Sequence, residues 1–341
     1  MARNKTYSTL KFLTSAALPA LVLAGQAQAS EPAAADPEGG SAIIVTGTRS
    51  VGLKAADSPA PVQVLGADLL QRAGRSDINT SLSLAVPSIQ IQTFGNDMTA
   101  FHPSIKLRGL NPNHTLVMVN GKRRHGTSNV VVTNALWTGG AAPDMGLIPM
   151  EAVEHVEVLQ DGAAAQYGTD AVAGVVNLIL KKKDHGGYLT GSVGQYYAGD
   201  GLSYEFAGNI GMAPVEDMYL NITVAHKVKD YSFRGDADPR VLSSTASGAL
   251  LLSRYPALAN AANYPYVNRI FGDGRMALTN AFYNMGYTGI SGIEIYSFGS
   301  LSKRTGSTYQ NFRLPNVVVG KSAVGATSGS VAATGDIPFP L

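Results

Sequence analysis

Short stretches of alternating polar and apolar residues run through the chain from residue 55 to 183, and they predict a small mixed domain. Residues 61–65 (PVQVL) are typical of a strand. Asp68 and Asp77 each precede a helical pattern and suit the N-cap position. Residues 105–110 (IKLRGL) alternate again and reach a glycine turn. Strands interspersed with short helices indicate an α+β fold.

The second half of this region carries the clearest turn signals. Asn120-Gly121 is a dipeptide typical of two-residue hairpins. Asp161-Gly162 predicts another turn, and Gly168 is suited to end a helix. The elements predicted around these turns are an apolar strand at 115–119, a half-buried strand at 154–159, a short helix at 163–167 and a buried strand at 174–180.

The tail from residue 184 to 341 contains longer alternating stretches. Residues 202–212 and 218–224 place large apolar residues at every second position and are separated by a short turn that contains Pro214. Transmembrane β-strands need about 9–11 residues, so this pair is typical of a membrane hairpin. A soluble β-sandwich with one wet face is the alternative. Beyond Asp230 we expect a long loop at 236–268 with a helix around Leu250, then strands at 276–285 and 290–300.

The first 29 residues predict an export signal. Arg3, Lys5 and Lys11 precede an apolar run at 12–25, and Ala27 and Ala29 form a cleavage pattern. The run is shorter than the ~20 residues of a membrane helix. Residues 30–54 follow as a flexible linker rich in Pro, Ala and Gly. Within it, residues 43–49 (IIVTGTR) are either the first strand of the next domain or a segment that another protein captures by strand addition.

Composition narrows the range of functions. Glycine occurs 38 times and tyrosine 15 times in 341 residues, which suits strands and turns. The net charge of +2 gives no field that would attract nucleic acid, and the basic cluster at 122–125 is interpreted as a solvated hairpin arm. There is no cysteine and therefore no disulfide or thiolate metal site.

Candidate chemistry is sparse. The six histidines lack paired metal-ligand spacing, and the chain has no phosphate-binding glycine loop. Ser300 follows a glycine but lacks the surroundings of a nucleophile elbow. We therefore expect a protein that is not an enzyme and that needs no cofactor. An exported hydrolase would require a nucleophile–base pair that the sequence does not show.

Four motifs resemble, in order, the plug-domain signatures of TonB-dependent outer-membrane receptors. They are IKLRGL at 105–110, LVMVNG at 116–121, IPMEAVEHVEVLQDGAAAQYG at 148–168 and AGVVN at 173–177. The resemblance implies a plug domain at 55–183 and the first strands of an antiparallel transmembrane β-barrel at 184–341. Its signature positions here are Arg108, Gly109, Asn120, Gly121, Glu157, Val158, Asp161, Gly162, Tyr167, Gly168, Gly174, Val175 and Asn177.

The resemblance also implies a function, which is energised uptake of a scarce nutrient, most often an iron–siderophore chelate, across the bacterial outer membrane. The implied partners are TonB, the metal chelate and outer-membrane lipid. Residues Ile43, Ile44, Val45, Thr46 and Gly47 lie where the family keeps its TonB box, which favours the capture interpretation. The stretch from His102 to His114 and the Asn120-Gly121 hairpin are candidates for the substrate side. Arg108, Glu157 and Asn177 are expected to hold the plug together and against the barrel.

The resembled barrels have about 22 strands, whereas residues 184–341 allow about six to eight. We therefore expect a barrel that this chain does not close. Two alternatives stay open, a secreted β-rich binding protein and a receptor remnant that does not transport. The substrate itself is not predicted, because specificity resides in loops.

Overall fold

The computed structural model describes residues 61–72, 77–92, 98–128, 130, 139–262, 264–266 and 272–308. The predicted export signal, the linker and the TonB-box-like segment at 43–49 lie outside these ranges, as do residues 309–341. Among the described residues, no helix is long and apolar enough to cross a membrane.

Residues 61–180 form a mixed sheet with short helices. The strand order is β1-β6-β7-β4-β5, in which β4 and β7 are parallel and the other neighbours are antiparallel. A separate antiparallel pair is formed by β2 and β3. The bounds are β1 Val62–Gly66, α1 Ala67–Arg72, α2 Ile78–Ala85, β2 Ile89–Gln92, β3 Ser104–Leu107, β4 Thr115–Val119, β5 Lys122–Arg123, β6 Val153–Leu159, α3 Ala164–Tyr167 and β7 Gly174–Leu180.

Most of the turn and cap predictions are confirmed. Asp77 caps α2 by accepting a hydrogen bond from the Thr80 N–H at 3.0 Å. Asn120 and Gly121 both have positive φ, 48° and 73°, as a type I′ hairpin requires. Gly168 ends α3 with φ 96°. Asp68 is not an N-cap, because α1 already begins at Ala67. Its carboxylate lies within the first turn of α1, where it interacts favourably with the helix dipole.

The core of this domain is apolar and lies between the sheet and its helices. The prediction that β6 is half-buried is wrong, because Val156, Glu157, Val158 and Leu159 are all buried. Glu157, a polar residue of this alternating pattern, is buried because Asn177 of β7 donates a hydrogen bond to it. The apolar core of this domain includes the buried residues Leu65, Leu70, Ile78, Leu82, Leu107, Met145, Val153, Val156, Val158, Val176, Leu178 and Leu180.

Residues 187–307 form a second, purely antiparallel sheet with the order β12-β11-β10-β9-β8. Among the described residues it stays open, since β8 and β12 do not pair. The strands are β8 Gly187–Gly194, β9 Ser203–Met212, β10 Met218–Lys229, β11 Arg275–Ile290 and β12 Ile293–Ser307. A helix, α4 (Ala246–Arg254), lies in the long connection between β10 and β11. The fold is thus an α+β domain followed by an incomplete antiparallel barrel, as predicted.

The polarity of this sheet is reversed relative to a soluble protein. Its outer face exposes large apolar side chains, including Leu189, Phe206 and Ile210, while its inner face buries Asn209 and Asn221 against the mixed domain. β11 and β12 have 16 and 15 residues, longer than the strands predicted there. β8 was not predicted at all. An apolar exterior with a polar interior is the pattern of transmembrane barrels.

Candidate functional site

A buried polar network joins the signature residues at the centre of the mixed sheet. The fully buried Glu157 accepts a hydrogen bond from the Asn177 side chain at 3.1 Å. Asn177 in turn accepts from the Gly121 N–H at 3.0 Å. His155 Nε2 lies 3.5 Å from the Glu157 carboxylate. Because a buried carboxylate is costly without partners, this arrangement holds β4, β6 and β7 in one register.

Asn120 connects the same network to the long sheet. Its side-chain oxygen accepts from the Leu180 N–H at 2.9 Å, and its side-chain nitrogen donates to Asn284 of β11 at 3.2 Å. Asn284 donates onward to the Lys181 carbonyl at 2.9 Å. The hairpin turn therefore contacts the inner face of the long sheet directly.

Arg108 and Gly109 lie in an exposed turn of the mixed domain. Both adopt positive φ, and Arg108 is exposed. Its guanidinium donates to the Val172 carbonyl at 3.1 Å, and among the described residues it has no hydrogen bond or ion pair with the long sheet. Arg108 was expected to hold the plug together and against the barrel, and its contact with Val172 agrees with the first role only. It fastens one turn of the mixed domain to another.

The remaining signature residues build the turn between β6 and β7. Asp161 accepts from the Gly162 N–H at 2.7 Å, and Arg123 donates to the Tyr167 carbonyl at 2.6 Å and pairs with Asp170. Val158 and Val175 are apolar core residues. Lys122, Arg123 and His125 are exposed, as the interpretation of 122–125 as a solvated hairpin arm implies.

Three lysines at one end of the mixed domain lie over tyrosine rings of the long sheet. Lys181 is 4.6 Å from the centre of the Tyr188 ring and also donates to its hydroxyl at 2.6 Å. The other two pairs are Lys182 with Tyr219 at 5.7 Å and Lys122 with Tyr296 at 5.8 Å. Such cation–π contacts are strongest where water is excluded. We call these three pairs the lysine seam.

A buried ion pair joins the mixed domain to the long sheet at the opposite end. Asp144 accepts from Arg304 of β12 at 2.5 Å and lies 3.0 Å from His102 Nδ1. Burial raises the pKa of Asp144, but hydrogen bonds from His102 and Arg304 and the charge of Arg304 outweigh it, so the pKa lies below the ordinary value of 3.8. No sequence pattern singled out this cluster, because its members are 42 and 160 residues from Asp144.

The connections of the long sheet define its two ends. β9–β10 and β11–β12 are joined by short turns, whereas the segments at 195–202 and 230–274 are longer and lie at the other end. His102 lies at the long-loop end beside Arg304. Asn120-Gly121 contacts Asn284 near the short-turn end. The two substrate candidates named from the sequence, His102 and the Asn120-Gly121 hairpin, therefore lie towards opposite ends of the long sheet.

A cleft of about 570 Å³ lies between the mixed domain and the long sheet at the long-loop end. Its two lysines are paired with acids of the lining, Lys227 with Glu205 at 3.8 Å and Lys229 with Asp273 at 2.9 Å. Tyr196, at its rim, donates to Asp273 at 2.9 Å. The described residues contain no cluster of acids and histidines suited to a metal ion. The cleft is thus a polar space with nearly balanced charge.

The rim of this cleft is tied together by its loops. Arg234 makes a bidentate pair with Asp200 at 2.8 and 2.9 Å and lies 4.3 Å from the Tyr196 ring centre. Ser232 donates to Asp273 at 3.1 Å. These contacts fix the 195–202 and 230–234 segments relative to each other, and the sequence offered no local signal for them.

Comparisons with known proteins agree with this architecture. The family model for the TonB-dependent Receptor Plug Domain matches residues 54–175. Residues 54–175 are thus a plug domain of the kind found in TonB-dependent receptors, and an antiparallel sheet follows the matched region. From here on we call the mixed domain the plug and the long sheet the wall.

The relatives by sequence are transport receptors. The iron-regulated outer membrane virulence protein of Vibrio cholerae is 33% identical over 127 residues, which are 37% of this chain and 18% of that protein. The ferrienterobactin receptor of Escherichia coli K12 is 29% identical over 185 residues, 52% of this chain and 23% of that protein. The vitamin B12 transporter BtuB of Vibrio vulnificus is 35% identical over 104 residues, 30% and 15% respectively. The chain spans about a fifth of the length of such relatives.

Solved structures show the same fold. A mutant of the ferric enterobactin receptor of Pseudomonas aeruginosa, in complex with enterobactin, superposes with a TM-score of 0.52 at 18% identity, covering 73% of this chain and 35% of that one. The siderophore receptor PirA of Acinetobacter baumannii gives 0.51 at 20% identity, covering 72% and 32%.

Proposed function

We propose that this protein takes part in TonB-dependent uptake of an iron–siderophore chelate across the bacterial outer membrane. The observation that carries the proposal is the plug packed on the polar face of a sheet whose other face is apolar. A plug fixed against the inside of a lipid-facing wall is the arrangement that an energised transporter needs, since a permanently open barrel of this kind would leak.

The proposal assigns the two ends of the receptor. The chelate binds at the long-loop end, where His102 and the rim of the cleft lie, because long loops of outer-membrane barrels face the exterior. TonB captures Ile43–Gly47 by strand addition on the periplasmic side. Glu157, Asn177 and Asn120 keep the resting plug rigid and attached to the wall.

Uptake measurements test this proposal. Cells that express the gene should accumulate ferric enterobactin, and cells lacking TonB should not. Cyanocobalamin belongs in the same assay, because one relative is a vitamin B12 transporter. Accumulation of cyanocobalamin alone would identify cyanocobalamin, and not the iron chelate, as the substrate. If the cells accumulate neither compound, the proposed uptake of these compounds is contradicted.

The TonB-box assignment has its own test. Ile44→Pro removes an N–H from the proposed pairing strand and should abolish uptake while leaving binding and surface abundance unchanged. Ala34→Pro, in the Pro-rich linker, is the matched control and should transport normally. Normal uptake by Ile44→Pro at equal abundance would disprove the assignment.

A further inference from the structure

A row of polar side chains crosses the outer face of the wall near its long-loop end. His226 of β10, Thr279 of β11 and Lys303 of β12 lie directly opposite one another in the strand register, and all three are exposed. They are on the outer face, because the neighbours of Thr279 along β11, Leu278 and Asn280, line the cleft on the inner face. We call these three residues, which point away from the plug, the polar row.

The polar row lies at the edge of an exposed apolar surface. Two residues nearer the short turns, the same three strands present Val224, Ala281 and Leu301 in register. Leu301 is 78% exposed. On the neighbouring strand β9, the exposed Phe206 lies opposite His226. Aromatic side chains are typical of the level at which the apolar band of a membrane barrel meets the lipid headgroups.

The extent of the apolar surface gives the depth of the polar row. On β11 the outer face below the row runs from Ala281 through the exposed Tyr283 to Ile290, where the strand ends. At about 3.4 Å per residue this segment is about 31 Å long, and a strand tilt of about 35–45° reduces its height to about 22–25 Å. The apolar band of outer-membrane barrels is about 25 Å tall. The polar row therefore lies at the level of the headgroups on the long-loop side.

The side chains of the polar row are suited to a phosphate group. Lys303 has no ion-pair partner among the described residues, and a cation at this level is stabilised by an anionic headgroup. His226 Nδ1 lies 2.9 Å from the Thr279 hydroxyl oxygen, which holds these two side chains beside each other. Neighbouring strands are about 4.8 Å apart, so the backbones at His226 and Lys303 are about 10 Å apart and one headgroup can contact both residues.

We propose that the polar row binds the phosphate-bearing headgroup of a lipid in the outer leaflet of the outer membrane. Lys303 pairs with the phosphate, Thr279 and His226 hydrogen-bond to it, and Phe206 packs against the apolar part of the same lipid. This lipid is bound on the face of the wall opposite to the plug. The inference depends on lipid at the outer face of β10–β12, and it does not depend on the proposed uptake function.

Native mass spectrometry of the receptor purified in detergent measures lipid binding without TonB or a chelate. The probe is lipid A that carries both of its phosphates, and the same lipid after enzymatic removal of the phosphates is the comparison. The parent should bind the phosphorylated form more tightly. Lys303→Gln should weaken binding of this form about fivefold, as expected for one basic residue near an anionic surface, while Lys303→Arg should retain it.

Lys183→Gln is the matched control, because Lys183 is also exposed but lies beside Gly211 at the short-turn end. This variant should bind phosphorylated lipid A like the parent. An equal loss from Lys183→Gln and Lys303→Gln would overturn the proposal, since binding would then reflect overall charge. Equal affinity of the parent for the phosphorylated and phosphate-free lipids would overturn it too. Displacement of the lipid by millimolar inorganic phosphate would assign the row to free phosphate and exclude the lipid.

A second variant and the uptake assay separate the remaining failures. Should Lys303→Gln not assemble, Thr279→Val decides the question, because it removes the hydroxyl, keeps the branched shape and should also weaken binding. Unchanged binding by Thr279→Val would then contradict the proposal. A receptor that accumulates no chelate but binds phosphorylated lipid A through Lys303 would disprove the uptake function and support the lipid site.

Discussion

Gly174 shows how a missing side chain shapes the plug core at the scale of one residue. Its φ is 140°, and a Cβ there would collide with the Leu159 carbonyl oxygen and the Leu107 side chain. Gly174→Ala should therefore destabilise the protein by about 1–3 kcal/mol, through both strain and overpacking. Urea unfolding of the purified protein measures this.

Gly66 is the matched control, because a Cβ added there meets nothing within 4 Å. Gly66→Ala should change the free energy of unfolding by less than about 0.5 kcal/mol. Equal stability of the two variants would contradict the close approach of β7 to β3 and β6.

The depressed pKa of Asp144 predicts that the free energy of unfolding depends on pH. Because its pKa is depressed in the folded protein, the stabilisation by its carboxylate is fully present above about pH 4 and is lost as the pH falls through the folded-state pKa. At pH 7, Asp144→Asn should cost about 2–5 kcal/mol, since it leaves Arg304 largely buried without its charged partner. Thermal unfolding in detergent across pH measures the effect.

The loss should shrink in strong acid, where the parent also carries a neutral side chain at position 144. Glu216→Gln, in an exposed turn, is the control and should behave like the parent at every pH. A loss from Asp144→Asn that is as large at pH 2.5 as at pH 7 would exclude the carboxylate as its cause.

At the scale of elements, the β4–β5 hairpin combines a backbone requirement with a contact to the wall. Asn120 has φ 48°, and its side chain bonds Leu180 and Asn284. Asn120→Gly keeps the turn but removes both hydrogen bonds and should cost about 1–2 kcal/mol. Asn120→Ala loses the bonds and strains the turn, so it should cost about 1 kcal/mol more.

Limited proteolysis of the plug in the assembled protein measures both variants. We expect cleavage at the plug to increase in the order parent, Asn120→Gly, Asn120→Ala. Identical cleavage of Asn120→Gly and the parent would mean that the hydrogen bond to Asn284 does not hold the plug on the wall.

The elements differ in how far the sequence predicted them, and the difference has physical causes. The Asp77 cap, the Asn120-Gly121 turn and the Gly168 helix end depend on local backbone chemistry, which neighbouring residues fix. β8 (GYLTGSVG) escaped prediction because its three glycines break the alternation. Glu157 looked like the wet face of β6 because its burial depends on a hydrogen bond from Asn177, which lies on another strand. The contact of Asp144 with Arg304 spans 160 residues and has no local signal.

For the molecule as a whole, the strongest prediction concerns which solvent the wall faces. Val224 on the outer face of β10 and Leu250 in α4 are similarly exposed, at 51% and 47%. If the wall lies in lipid, Val224→Arg should cost about 2–4 kcal/mol and reduce assembly into the outer membrane. Leu250→Arg, in a loop helix that faces water, should be neutral.

The comparison of Val224→Arg with Leu250→Arg distinguishes a lipid-facing wall from a water-facing sheet with the same exposure. If the wall faces lipid, arginine destabilises the protein at position 224 and not at position 250. Heat-modifiable migration of the protein from outer-membrane fractions measures assembly of both variants. Equal assembly of Val224→Arg and Leu250→Arg would show that the apolar face of the sheet meets water or another protein. Uptake through a membrane barrel would then have to be abandoned, even though the plug fold would stand.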